Sequence, residues 1–238
     1  MVPPEQTSEP TSGLTLRPAA PEDVEAIVHV QIASRGAAAM PPGTHPEHEV
    51  RAWLTERYRH DEMWVAEADG AVAAYARMTA TWLDDLYVAP DRAGQGLGTA
   101  LLDVVKARRP DGFCLWVFEM NLPARGFYRH HGLVELERTD GAGNEEKQPD
   151  IRMAWPGNDP LAFYRGLIDE TDGELGDVLN RRVALTRAVQ PHKTVPERDP
   201  DRERAIAEAM AERAPALGAD RLHRIVHAII TESLDAST

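Results

Sequence analysis

Two stretches of this sequence carry residue types and spacings that can do chemistry. The first is Pro90-Asp-Arg-Ala-Gly-Gln-Gly-Leu-Gly-Thr99, set between a strand-like and a helix-like pattern. Glycines there let backbone amides close on an anion, and a helix start favours the negative charge of a phosphate. No Lys-Ser/Thr follows, so this is not a Walker loop. A plain glycine-rich turn has the same spacing, and the loop alone leaves the two readings level. The second stretch is a set of cations. Arg182 and Lys193 are eleven residues apart, which on a helix turns about 1100° and leaves them within roughly 20° of one face. Arg165 lies seventeen residues before Arg182 and falls about 100° from that face, so it points to a different pocket, such as one across a dimer. Rotation alone favours surface cations that extend to water.

Other polar groups read as structural. His223 and His227 are four apart, yet Arg221 and Arg224 beside them disfavour a metal and no third ligand is evident. His45 and His48 sit near a helix start and suit capping or exposure. His130 and His131 shape a helix end, and Ala37-Ala38-Ala39-Met40 suits packing better than an acceptor pocket. No metal site is expected.

The elements that must position these residues alternate from Leu14 to about Trp155. Pro21-Glu22-Asp23 opens a helix through Ile32, and His45 to Arg59 reads as a second. Strands at Met63–Ala68 and Val72–Ala80 flank Asp69-Gly70, a hairpin signal. Leu86-Tyr87-Val88 is a strand, Thr99–Arg108 a helix and Phe113–Phe118 a buried strand. A short helix at Leu122–His131 precedes strands at Val134–Glu137 and Ile151–Ala154. Such a mixture predicts an α/β (α+β) layered fold. After Pro156-Gly157-Asn158 the pattern becomes all-α. Asp159 and Pro160 start one long helix to near Lys193, with an apolar seam at Leu161, Tyr164, Ile168, Leu175, Leu179, Val183 and Val189. Pro191 must end or kink it. Asp199-Pro200 starts a second helix ending near Pro215, and Ala219 a third. Three helices bury too small a core alone, which argues for dimerisation through the long one. The expected organisation is a disordered N-terminus over 1–13, a first domain over 14–156 and a helical domain over 157–238.

Composition sets the outer bounds. Of 238 residues, 42% are hydrophobic and 27% charged, which suits packed, soluble domains. The net charge of −13 disfavours nucleic-acid partners. The single cysteine, Cys114, permits no intrachain disulfide and is compatible with the cytoplasm. No apolar run spans a membrane, and the Pro/Glu/Ser/Thr-rich start is no signal peptide.

A further segment, Asn121-Leu-Pro-Ala-Arg-Gly-Phe-Tyr128-Arg-His-His-Gly-Leu133, stands downstream of the glycine loop. Together, over roughly residues 14–156, the two resemble the GNAT acyltransferase superfamily. The resemblance implies acetyl-CoA as acyl donor, with its pyrophosphate on the amides of Gly94, Gln95, Gly96, Leu97, Gly98 and Thr99. It implies that the edge of Leu86, Tyr87 and Val88 pairs with the pantetheine arm, that Asn121 helps seat it, and that Tyr128 protonates the departing thiolate. Where the family usually has Arg or Gln, this chain has Ala93. An acceptor amine must lose a proton, and Asp84 and Asp85, read as preceding the cofactor strand, are candidate bases or simply a solvated strand entrance.

In the helical part, the pattern Arg165…Ile168-Asp-Glu-Thr-Asp172…Leu179-Asn-Arg-Arg182…Lys193…Asp199-Pro-Asp-Arg-Glu203…Ser233 resembles the helical chorismate mutase family. It implies an intertwined homodimer acting on chorismate with no cofactor. Arg182, Lys193 and Arg202 would come from one subunit and Arg165 from the other. Asp199 and Glu203 would order the substrate hydroxyl and the cations, with Ser233 lining the pocket. The reaction is unimolecular: the protein holds a flexible dicarboxylate in a reactive shape, for which planar guanidiniums are suited. Lys193 is the candidate to stabilise charge growing on the ether oxygen. The family's further donor, one turn after the serine, falls on Ser237 here. Two other readings keep the folds. One is a 4-amino-4-deoxychorismate mutase, and the other a non-catalytic ligand sensor dimerised by its helices. Isochorismate pyruvate-lyase shares the helical fold, but Asp199–Glu203 favours the mutase.

Overall fold

The computed structural model describes residues 13–192 and 199–236. The expected disordered N-terminus lies almost wholly outside the described residues, as do Lys193 and Ser237. The chain divides into two compact units, residues 1–164 and 165–238.

Unit 1 holds two antiparallel sheets. The first has the order β1-β2-β3-β4, with β1 at Thr15–Pro18, β2 at Glu62–Ala68, β3 at Ala71–Met78 and β4 at Leu83–Val88. The second has the order β5-β7-β6, with β5 at Phe113–Phe118, β6 at Val134–Arg138 and β7 at Asp150–Trp155. Helices α1 (Val24–Ala37), α2 (Glu47–Tyr58), α3 (Leu97–Arg108) and α4 (Leu122–His130) complete it. The hairpin signal is realised: Asp69 (φ 53°) and Gly70 (φ 79°) both take positive φ between β2 and β3.

The period-two alternation of the strands sorts the core onto two faces. Val65 and Tyr75 pack with Ile27, Val28 and Leu54 from α1 and α2. Ala66, Ala74, Ala76 and Met78 pack with Leu101, Leu102 and Val105 of α3. Several bounds differ from expectation. The first helix runs past Ile32 to Ala37 after a 3-10 turn at Pro21–Asp23, and α3 begins at Leu97 rather than Thr99. The cofactor strand begins at Leu83, so Asp84 and Asp85 lie within β4 and do not precede it.

One backbone bridge joins the two sheets among the described residues. Trp82 forms a parallel bridge with Cys114, and the Cys114 amide donates to Thr81 O at 2.9 Å. Beyond it β4 pairs only with β3, so its other edge from Asp85 to Val88 is free of any ladder.

Unit 2 is helical. Helix α5 spans Pro160–Val189 from its start at the end of unit 1, α6 spans Pro200–Arg213 and α7 spans Ala219–Asp235. The proline effect is direct: α5 stops at Val189, and Pro191 sits in a 3-10 turn at Gln190–His192, short of the expected end near Lys193. Ala207 of α6 is buried, as are Leu222 and Val226 of α7. Helix α5 buries no residue. Ile168, Leu175, Val178, Leu185 and Val189 are each at least half exposed on it, within an arc of about 100°.

Candidate active sites

The free edge of β4 borders a cavity of about 910 Å³ in unit 1. Its walls come from Asp84–Val88 of β4, Leu115–Phe118 of β5 and the first turns of α4, including Asn121, Phe127 and Tyr128. The glycine loop reaches it at Ala93 and Gly94. Gly94 (φ 76°) and Gly96 (φ 84°) are both left-handed, and Gly96 is the N-cap of α3. Left-handed residues beside a helix start turn successive amides toward one point, which makes a nest for an anion. A left-handed alanine costs about 1–2 kcal/mol. Gly96→Ala should therefore raise the dissociation constant for acetyl-CoA by about tenfold, measured by calorimetry, if the loop relaxes to escape that strain.

Tyr128 is 8% exposed on the cavity wall, and burial holds its hydroxyl well above the usual phenol range. It is thereby kept protonated. Its neighbour Phe127 packs edge-on at 5.3 Å. Asn121 lines the cavity while its side chain caps α4, accepting from the Ala124 amide at 3.2 Å. His131 joins the start of α3 to the end of α4 through Thr99 Oγ1 at 3.2 Å.

The two aspartates have unlike surroundings. Arg77, in an otherwise apolar strand, holds Asp85 at 2.6 Å and Asp61 at 2.7 Å, all three nearly buried. Asp84 stands 3.8 Å from the same guanidinium. Consecutive residues of a regular strand point to opposite faces, so both should not reach one cation. They do because the register shifts here: Arg77 pairs with Asp85 but Met78 with Leu83, leaving Asp84 in a β-bulge. Burial raises the Asp84 carboxyl above the usual aspartate range, opposed by Arg77. Asp85 is committed to an ion pair, and Asp84 is the freer acid on the cavity.

A second cavity of about 820 Å³ shares Arg35, Asp85, Tyr87 and Glu146 with the first. Arg35 donates to Glu146 Oε1 at 2.6 Å, and burial pushes the Tyr87 hydroxyl up to about 12. Ala38 and Met40 also line the first cavity, so the alanine-rich run expected to pack contributes to its wall. Sequence reasoning missed Arg35, Arg77 and Glu146. Only Arg77 had a visible signal, as a lone cation in an apolar run.

In unit 2 the structure brings Arg182 and Ser233 to one atom. The Ile229 carbonyl accepts from Arg182 Nη1 at 3.3 Å and from Ser233 Oγ at 2.5 Å. Ser233 is buried, as is Glu203, whose Oε2 lies 3.8 Å from His227 Nδ1. Asp199 caps α6, accepting from the amides of Asp201 and Arg202 at 3.1 and 3.0 Å. Arg202 and Arg165 are exposed. Arg165 is seventeen residues from Arg182 on one continuous helix, about 25 Å along the axis, so one subunit cannot bring the two to one small molecule. His45 is paired with Glu49 and Glu145 at the surface.

Comparison with known proteins agrees with this division. Residues 59–135 match the acetyltransferase (GNAT) domain family, and residues 164–237 match chorismate mutase type II. The chain joins a GNAT domain to a chorismate mutase type II domain. Peptidyl-lysine N-acetyltransferase YiaC of Escherichia coli (strain K12) is 35% identical over 95 residues, 39% of this chain. The match spans 62% of that relative's length. A GCN5-related N-acetyltransferase structure from Rhodopseudomonas palustris superposes with a TM-score of 0.52 at 22% identity, covering 63% of this chain and 99% of its own. YncA from Salmonella typhimurium, solved with its cofactor acetyl-CoA, gives 0.51 at 19% identity, covering 62% and 96%. At such identities the structures establish the GNAT fold of the first part. Both domains belong to enzyme families. No helix among the described residues is long and apolar enough to cross a membrane.

Proposed function

We propose that the chain is a bifunctional enzyme, transferring an acetyl group from acetyl-CoA to a primary amine in the GNAT domain and rearranging chorismate to prephenate in the helical domain. The observation that carries the first half is the cavity beside the unladdered edge of β4, with the left-handed Gly94 and Gly96 at one end and buried Tyr128 on its wall. The fit to acetyl-CoA is chemical: amide donors for a pyrophosphate, a free strand edge for the amides of the pantetheine arm, and a protonated hydroxyl for a sulfur. When bound, acetyl-CoA supplies an activated thioester. The amides of Gly94–Thr99 hold the pyrophosphate, the backbone of Leu86–Val88 aligns the arm, and Asn121 borders it. Asp84 takes a proton from the incoming ammonium, directly or through water, and Tyr128 donates its proton to the departing thiolate. The curated relative's peptidyl-lysine activity supports a primary amine as acceptor. The test is calorimetric binding of acetyl-CoA together with amine-dependent release of free thiol.

The second half rests on Arg182 and Ser233 meeting at one carbonyl while Arg165 is out of reach on the same helix. A pocket with both arginines requires Arg165 of the partner subunit, so the active form is a homodimer. Arg182 and Arg202 grip the carboxylates, and Lys193 stabilises the ether oxygen as its bond to carbon breaks. Buried Glu203 orders the pocket, Ser233 lines it, and Asp199 holds the start of α6 so that Arg202 is correctly placed. The exposed apolar arc of α5 is the surface that the second subunit covers. Burial of each leucine contributes about 1.5–3 kcal/mol. Leu175→Glu, which removes one such contact from each subunit, should weaken the dimer at least about a hundredfold in sedimentation equilibrium. A wild-type monomer would split the proposed pocket.

A further inference from the structure

The acetyltransferase reading leaves its amine undefined, and the second cavity of unit 1 bears on that choice. Its wall carries more carboxylates than cations. Asp85, Glu49, Glu145 and Glu146 line it against one guanidinium, Arg35, which donates through Nη2 to Glu146 and keeps a buried Nε without a hydrogen-bond partner among the described residues. Gln31 is 7% exposed on the same wall, and its Oε1 has no hydrogen-bond partner among the described residues. A buried amide oxygen without a donor is costly, and a ligand N–H at that place removes the cost.

Negative charge gathers at two ends. At the inner end Asp85 lines the wall, and behind it Arg77 is shared by Asp85, Asp61 and, at 3.8 Å, the Asp84 of the first cavity, three carboxylates on one cation. At the other, His45 lies 2.8 Å from Glu49 and 2.9 Å from Glu145, so the two carboxylates share at most one positive charge. Between them Ile32, Val50 and Trp53 give the wall an apolar strip, Ile32 and Trp53 at 38% and 40% exposure, and Arg77 stacks on the Trp53 ring at 4.7 Å. An alkyl stem suits that stretch and an ammonium suits either end.

We propose that this cavity is the acceptor site and that it selects an alkylamine carrying a second positive charge beyond an apolar spacer. The reacting amine sits toward Asp84, and the second cation sits against the Oε1 atoms of Glu49 and Glu145, whose Oε2 atoms hold His45. The proposal rests on the acetyltransferase reading. A free diamine and a lysine side chain in a basic peptide share this chemistry.

The experiment uses the full chain and compares 1,5-diaminopentane with pentylamine, which have the same stem and differ by one charge. The diamine should be favoured by at least about tenfold in kcat/KM, mostly through KM, because only it meets the outer carboxylates. The double variant Glu49→Gln, Glu145→Gln should bring the two amines near parity. Glu56→Gln, on the same helix but away from the cavity, should keep the preference. Calorimetric binding of both amines to the wild-type protein reads the same selectivity without turnover or a variant. A lysine flanked by arginines in a short peptide, set against one flanked by glutamates, separates the free from the peptidyl source. Equal kcat/KM and equal binding for the two amines would overturn the proposal, as would a preference that survives the double variant. If acetyl-CoA itself neither binds nor releases thiol, the acetyltransferase reading fails, and amine binding still decides the cavity's selectivity.

Discussion

Tyr128→Phe should lower kcat for acetyl transfer by about 10²–10³-fold, in the range typical of a lost general acid. The binding of acetyl-CoA should change little, because the ring stays packed on Phe127 and only the hydroxyl is removed. Burial holds that hydroxyl above the usual phenol range, so it carries its proton at neutral pH. Loss of that proton would appear as an alkaline fall in rate, whereas the acid limb belongs to the base. Asp84 must be ionised to accept a proton, and burial raises its carboxyl above the ordinary aspartate value. kcat/KM should accordingly fall as pH falls through that raised value, and Asp84→Asn should remove the limb along with most of the activity. Asp85→Asn should act differently. It breaks a buried ion pair with Arg77 at 2.6 Å and should show mainly as lost stability in thermal unfolding. A Tyr128→Phe enzyme with wild-type kcat would leave the thiolate to be protonated by water.

Mixing two dead mutases should restore activity. Arg165→Ala and Arg182→Ala should each lower chorismate turnover by at least about a hundredfold, since each leaves a substrate carboxylate without its planar partner. In a mixed dimer one pocket collects both substitutions and the other collects neither. Random exchange of equal amounts makes about half the dimers mixed, so recovery should approach about a quarter of wild-type activity. The basis is length along α5: the two arginines are seventeen residues apart on one unbroken helix. Two arginines serving one pocket within a subunit would give no recovery on mixing. Size-exclusion of the mixed sample confirms that exchange has taken place.

Much of the architecture was legible in the residues because local rules and tertiary packing agree there. Asp69-Gly70 demands a hairpin, and Asp199-Pro200 and the Asp159-Pro160 pair announce helix starts. The seam of α5 predicts an uncovered apolar face, and no residue of that helix is buried. Pro191 foretold the end of α5, although the helix stops at Val189 and not near Lys193. What stayed hidden depends on partners distant in sequence. Asp84 and Asp85 read as two equivalent acids preceding a strand. Only the register of β4 against β3 creates the bulge that turns both toward Arg77. The second cavity needs Arg35 beside Glu146, 111 positions later, and His45 beside Glu145, 100 positions later. Neither pairing has a local signature. Likewise, the placement of Ala38 and Met40 in a cavity wall follows from where α1 ends against β4 and the 139–150 loop, not from their composition.

The most direct test of the helical domain's chemistry is chorismate consumption by the purified chain, with the product identified by chromatography and Lys193→Ala run alongside. Prephenate from the wild type, with the lysine variant lower by about 10²–10³-fold, is the predicted result. Unchanged chorismate under conditions where the protein is a folded dimer would contradict the account, and 4-amino-4-deoxychorismate would then be the substrate to offer the same pocket.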